Sequence, residues 1–188
     1  MTDLFGGFIK NERIANKSLE PIGNKKRCLW LILLLHENII MRQDTRLESE
    51  GAEFLVLGQS LINRIVAYKT YTNMPGYDLV ATNPENNSSA KIQVKSRWET
   101  KAGGFPIKNF GCDYVVVVLL NRGSKDGKKE IKPPEYFVIP VKVVQKACNT
   151  ESSWSKVLLK DISNLEQYRD NWSLISSFLK QKKRVTSR

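Results

Sequence analysis

The chain has 188 residues, 41% hydrophobic and 26% charged, a length and balance that suit a soluble domain with a sizeable core. Its formal net charge of +11 favours an anionic partner: nucleic acid, an acidic protein or a membrane surface. Three scattered cysteines (Cys28, Cys112, Cys148) without a CxxC pair, and the single histidine His36, argue against a zinc site, a disulfide framework or a Ser-His-Asp or Cys-His mechanism; they suit a reducing cytoplasm.

Residues 1–45 read as an N-terminal extension. Within it "KKRCLWLILLL", Lys25 to Leu35, imitates a signal peptide. It lies well after Met1 and is followed by "HENIIMRQD" rather than a small-residue cleavage site. It is also too short to span a bilayer, so no membrane association is expected.

Residues 46–180 read as the main domain. From about Leu47 to Val66 the pattern is helical, with Leu47, Phe54, Gly58, Leu61, Ile62 and Ile65 at spacings of three and four. That stripe is expected to face the core. "RIVAYKTY" then switches to β-branched and aromatic residues and predicts a strand. "TNMPG" is a turn, "YDLVAT" a second strand, "NPENNSS" a polar loop and "AKIQVKSRW" a third strand. Glu99 to Gly111 carries no period and reads as a loop. "DYVVVVLL" predicts a central strand buried on both faces. A basic loop, a fifth strand "YFVIP" and a short helix from about Val141 to Ala147 follow. "SNLEQYRDNWSLISSFLKQKKR" predicts a long helix opened by a Ser163/Glu166 capping box, with Leu165, Tyr168, Trp172, Ile175, Phe178 and Leu179 as its stripe. Trp154 and Trp172 are expected in the core. Residues 181–188 form a basic tail able to touch phosphates without specificity.

The third strand is the one that raises a chemical question. Ile92 and Val94 suit a core, while Gln93 and Lys95 alternate with them on the other face. A hairpin centred in "NPENNSS" with Asp78 opposite Lys95, and Val80 opposite Gln93, sets Asp78, Gln93 and Lys95 on one face. Leu79, Ala81, Ile92 and Val94 then share the other. A one-residue slip would destroy the arrangement. A carboxylate and an amide carbonyl can ligate Mg²⁺. A lysine can stabilise phosphoryl charge, or deprotonate water if its pKa is depressed. The preceding helix offers Glu50 and Glu53. Helical phase sets Glu50 nearer the apolar stripe, and Glu53 further round.

"GAEFLVLGQSLINRIVAY", "GYDLVAT" and "IQVKS", in that order, resemble the PD-(D/E)XK nuclease superfamily, with its restriction-endonuclease-like fold, over roughly Leu47 to Leu120. The resemblance implies an α/β core with a central mixed sheet of about five strands flanked by helices. It implies Asp78 as the family's aspartate, Gln93 and Lys95 as its (E/Q)xK pair, and Glu53, by way of "GAE", as its helix acid, with Glu50 in reserve. The proline of "PD" is displaced to Pro75, and a neutral glutamine stands where an acid is commoner. The implied activity is Mg²⁺-dependent DNA endonuclease cleavage, with Mn²⁺ able to substitute, in restriction, defence, repair or intron mobility. The metal ligands would be Asp78, Gln93 and Glu53. The alternative is a catalytically inactive nucleic-acid-binding module on the same fold. A homodimer would suit the symmetry of duplex DNA. Lys91, Arg97, Lys101 and Lys108 are basic residues that could line a DNA groove.

Overall fold

The computed structural model describes residues 45–71, 76–148 and 155–181, all within the unit Asp44–Arg188. The apolar segment at Lys25 to Leu35, Pro75, Trp154 and the tail after residue 181 lie outside the described residues.

Helix α1 spans Thr45–Ile62. It stops where Arg64 turns left-handed (φ 60°) and the Ile65 N–H reaches back to the Ser60 carbonyl at 2.9 Å. Its buried residues are Ala52, Val56 and Ser60. The expected stripe points elsewhere: Leu47 is 71% exposed, and Phe54, Leu61 and Ile62 are exposed with it. Of the predicted set, Ile65, beyond the helix end, is buried. The sheet selects the face with small side chains, which allow a close approach, over the face with large ones.

Five strands form one sheet in the order β1-β2-β3-β5-β6. They are β1 (Val66–Lys69), β2 (Leu79–Asn83), β3 (Ser88–Arg97), β5 (Tyr114–Leu119) and β6 (Glu135–Pro140). The β3–β5 pair is parallel and the other pairs are antiparallel, so the sheet is mixed. These are the five strands that the alternation and the β-branched runs predict. A second small sheet joins β4 (Gly104–Pro106), inside the segment expected to be irregular, to β7 (Lys156–Leu158), which no pattern announced.

Two cores lie on the two sides of the main sheet. On one side Ala52 and Val56 of α1 meet Leu79, Ala81, Ile92 and Val94, together with Trp172, Ile175 and Leu179 of the C-terminal segment. On the other, Val144 of α2 (Val141–Ala147), Val157, Leu159 and Ile162 cover Val115, Val117, Phe137 and Ile139. The central strand β5 serves both: all six of its residues are buried, and alternate valines enter opposite cores.

The predicted C-terminal helix is shorter. Residues Leu165–Tyr168 form a 3₁₀ turn, and α3 covers only Ser173–Lys180. The capping box does not form. Asn164 and Asp170 both adopt positive φ (52° and 46°), which interrupts the helix, and the Glu166 carboxylate is taken by Arg169. The predicted stripe therefore divides: Trp172, Ile175 and Leu179 enter one core, while Leu165 and Tyr168 pack against the other. No helix among the described residues is long and apolar enough to cross a membrane.

Candidate active site

The β2–β3 hairpin positions the site. Its register pairs Leu79 with Ile92, Val80 with Lys91 and Ala81 with Ala90. The expected pairing of Asp78 with Lys95 and Val80 with Gln93 is thus displaced by two residues. The cause is the turn: Asn87 is left-handed (φ 54°), and the Asn83 and Asn86 side chains accept from the N–H groups of Glu85 and Ser88, centring the hairpin between Glu85 and Asn86. A shift of two conserves the face of every residue. Leu79, Ala81, Ile92 and Val94 all lie in the α1 core, and Gln93 and Lys95 alternate away from it.

Asp78 stands just before β2, where that strand parts from β3. Its N–H donates to the Ile92 carbonyl at 2.8 Å, and its Oδ2 accepts the Val94 N–H at 2.7 Å. The carboxylate therefore satisfies a β3 amide past the last β2–β3 pair. Beyond that point β3 keeps β5 as its partner, Gln93 beside Val115 and Lys95 beside Val117. A cleft of about 320 Å³ lies between α1, the C-terminal half of β3 and β4, lined by Thr45, Glu48, Glu53, Lys95, Arg97 and Phe105, among others; Asp78 and Gln93 are not on its lining.

Gln93 is 7% exposed, and its Oε1 finds no hydrogen-bond donor among the described residues. An unpaired buried acceptor costs on the order of 1–3 kcal/mol. Lys95 is half-buried; burial pushes its pKa below 10.5, against the opposing pull of the Asp78 carboxylate. Cys112 lies against the same group, its thiol in contact with the Gln93 backbone and pushed up to about 11, mainly by burial.

The helix acids separate clearly. The Glu53 side chain is 17% exposed and that of Glu50 is 52% exposed, the reverse of the phase expectation. Glu53 lines the cleft and lies close enough to Asp78 for the two charges to act on each other. Burial raises its pKa; the hydrogen bond from Lys69 opposes the rise, and the Asp78 and Glu50 charges add to it. Lys69, from the end of β1, holds both acids: its Nζ donates to Glu53 Oε2 and lies 3.2 Å from Glu50 Oε1.

The structure thus sets Asp78 within electrostatic reach of both Glu53 and Lys95, with Gln93 two residues before Lys95 on β3 and Glu50 bonded to Lys69. Among the described residues no three His, Cys, Asp or Glu side chains are gathered to hold a metal by themselves. The donors present are the Asp78 carboxylate and the unpaired Gln93 carbonyl oxygen, with Glu53 nearby. Such a set fits Mg²⁺, which keeps several waters and takes one or two carboxylates rather than a full protein cage. Sequence reasoning missed Lys69 and Glu48. Lys69 reads as an ordinary strand lysine, and Glu48, which accepts from Ser96 Oγ at 3.2 Å, as an ordinary first-turn acid.

No protein-family model and no curated protein matches the chain. Among solved structures it is similar to a bacterial homing endonuclease, I-Ssp6803I, with 22% identity and a TM-score of 0.47 over 74% of this chain and 94% of that one.

Proposed function

We propose that this protein is a metal-dependent DNA endonuclease of the PD-(D/E)XK type, hydrolysing phosphodiester bonds at the fork between β2 and β3. One observation carries the reading: the buried Gln93 Oε1, unpaired among the described residues, on the strand whose Val94 N–H donates to the Asp78 carboxylate and whose Lys95 has a lowered pKa. A folded chain keeps an orphaned acceptor where a ligand completes it, and a hard cation is the ligand that an amide oxygen and a carboxylate share. When bound, Mg²⁺ or Mn²⁺ would neutralise phosphate charge and lower the pKa of water.

The chain's own residues do the rest. Asp78 is oriented by the Val94 N–H, so its carboxylate is fixed before substrate arrives. Gln93 offers its oxygen from a rigid strand. Lys95 is placed to orient the attacking water and take its proton, which burial makes easier by favouring the neutral amine. Glu53 holds the opposite wall of the cleft, and Arg97, on the lining, supplies a phosphate contact.

The test is nicking of supercoiled plasmid in Mg²⁺ or Mn²⁺. The expected result is metal-dependent nicking, slowed by about 100-fold or more in Asp78→Ala and in Lys95→Ala. Cleavage that survives both substitutions would overturn the site. Salt-sensitive DNA binding without cleavage in either metal would assign the chain to the binding-module alternative.

A further inference from the structure

The connection between β5 and β6, Asn121 to Pro134, is strongly basic: Arg122, Lys125, Lys128, Lys129 and Lys132 stand against Asp126 and Glu130. Every residue from Lys125 to Pro134 is exposed. A merely solvated loop of this composition would gain nothing from order, since like charges repel and a fixed backbone loses entropy. This one is braced. The Thr100 hydroxyl, on a residue only 3% exposed, joins its two arms: it accepts the Gly123 N–H at 3.0 Å and donates to the Glu130 carbonyl at 2.7 Å. The Thr100 N–H adds a bond to the Gly123 carbonyl at 2.9 Å. Asn121, equally buried, donates from Nδ2 to the Pro133 carbonyl at 3.0 Å, and its own carbonyl accepts the Lys132 N–H at 2.9 Å. Arg122 faces Ile131 across an antiparallel bridge. Gly123 turns left-handed (φ 90°), and a Cβ there would stand 3.0 Å from the Lys129 carbonyl oxygen. Two buried polar side chains thus hold a two-stranded ribbon whose outer surface is charge.

The root of the ribbon lies beside the cleft. The carbonyl of Arg97, a residue of the cleft lining, accepts the Leu120 N–H at 2.8 Å, and the next carbonyl, of Trp98, accepts the Arg122 N–H at 2.8 Å. The cations are not equally free. Lys128 lies 3.5 Å from Asp126, Lys129 3.4 Å from Glu99 and Lys132 3.8 Å from Glu130, whereas Arg122 and Lys125 pair with no acid among the described residues. A two-stranded ribbon matches the width of the major groove, and unpaired cations beside it suit the phosphates. We propose that the β5–β6 hairpin is an arm that grips duplex DNA next to the cleft, with Arg122 and Lys125 on backbone phosphates. This rests on the nuclease reading above and adds how the substrate is held. The bracing by Thr100 and Asn121 sets the ribbon in place before DNA arrives, so less freedom is lost on binding.

The experiment compares two double variants of the full chain that remove the same charge. Arg122→Gln/Lys125→Gln strips the arm. Lys142→Gln/Lys146→Gln strips two exposed lysines of α2, which follows Pro140, the residue paired with the start of β5 at the other end of the sheet. Affinity for a random-sequence duplex is measured with metal chelated over a range of salt, and plasmid nicking in Mg²⁺ or Mn²⁺ beside it. The arm variant should bind about 10- to 100-fold more weakly at about 0.1 M salt, its salt slope should fall by about two, and its KM for nicking should rise by a similar factor. The α2 variant should keep the wild-type slope. An arm variant that binds like wild type, or loses no more than the α2 variant, overturns the proposal and leaves the nuclease reading standing. Wild type that binds through the arm yet nicks in neither metal overturns the nuclease reading and leaves the arm. Wild type that binds no duplex overturns both.

Discussion

At Gln93 the needs of the fold and of the site pull apart. Its unpaired oxygen is a liability to the folded chain and an asset to a cation. Replacing it with Met, similar in size and apolar, should raise stability in EDTA by about 1–2 kcal/mol in urea unfolding, and abolish Mn²⁺ binding. Lys95 makes a second prediction, on pH. Its folded pKa lies below 10.5, so between that value and 10.5 the unfolded chain carries more protons, and stability rises with pH through this window. The penalty is fully present below the folded pKa. The stability difference between wild type and Lys95→Met, measured from pH 7 to 10, should shrink as pH rises. Cys112 makes a third: buried, with its thiol pushed up to about 11, it should resist iodoacetamide at pH 8 in the native protein and react once unfolded, as peptide mass mapping would show. At this scale the shared face of Gln93 and Lys95, opposite Ile92 and Val94, was legible, because strand alternation fixes parity. The partner of Glu53 was not, since nothing in "AYKTY" distinguishes a buried lysine from a solvated one.

Among the elements, the hairpin shows where sequence patterns lose precision. Alternation determines parity and says nothing of a shift by two. That was decided by Asn87 in the left-handed region and by the Asn83 and Asn86 side chains. The tip is also tied to the C-terminal helix: the Leu179 carbonyl accepts from Asn83 Nδ2 (3.3 Å), Asn86 Nδ2 (2.8 Å) and Ser88 Oγ (2.5 Å). Asn87→Val should therefore cost about 1–2 kcal/mol by thermal unfolding, because a β-branched side chain resists the left-handed conformation. Asn87→Gly should cost far less. In α1 the periodic stripe chose the wrong face, because large apolar residues dominate a pattern and say nothing about how closely the helix must approach the sheet. In α3 the capping signal failed against Asn164 and Asp170, whose left-handed backbones leave no trace in periodicity. The five main strands were legible; β4 and β7 were not, since three residues hold too little pattern to be seen.

For the molecule as a whole, the excess of 11 positive charges predicts that DNA affinity is governed by counterion release. Binding of duplex DNA, followed by fluorescence anisotropy with metal chelated, should weaken by about 10³- to 10⁵-fold between roughly 50 and 200 mM salt if six to ten phosphates are contacted. A flat response would place the binding elsewhere than on the phosphates. The mixed sheet and its flanking helices were foreseeable from the order of elements; the division of the core into two, with β5 common to both, emerges only from packing. That division has a consequence for local opening. The amides of β5, buried on both faces at the centre of the sheet, should be the last to exchange with deuterium, and β3 beside them nearly as slow. Strand β1, at the edge, should exchange early. Gln93 and Lys95 thus belong to the slowest part of the molecule, and Lys69 to one of the fastest. A brief excursion of the edge strand could release Glu53 while Asp78, Gln93 and Lys95 stay assembled, so the acid wall of the cleft would fluctuate against a permanent floor.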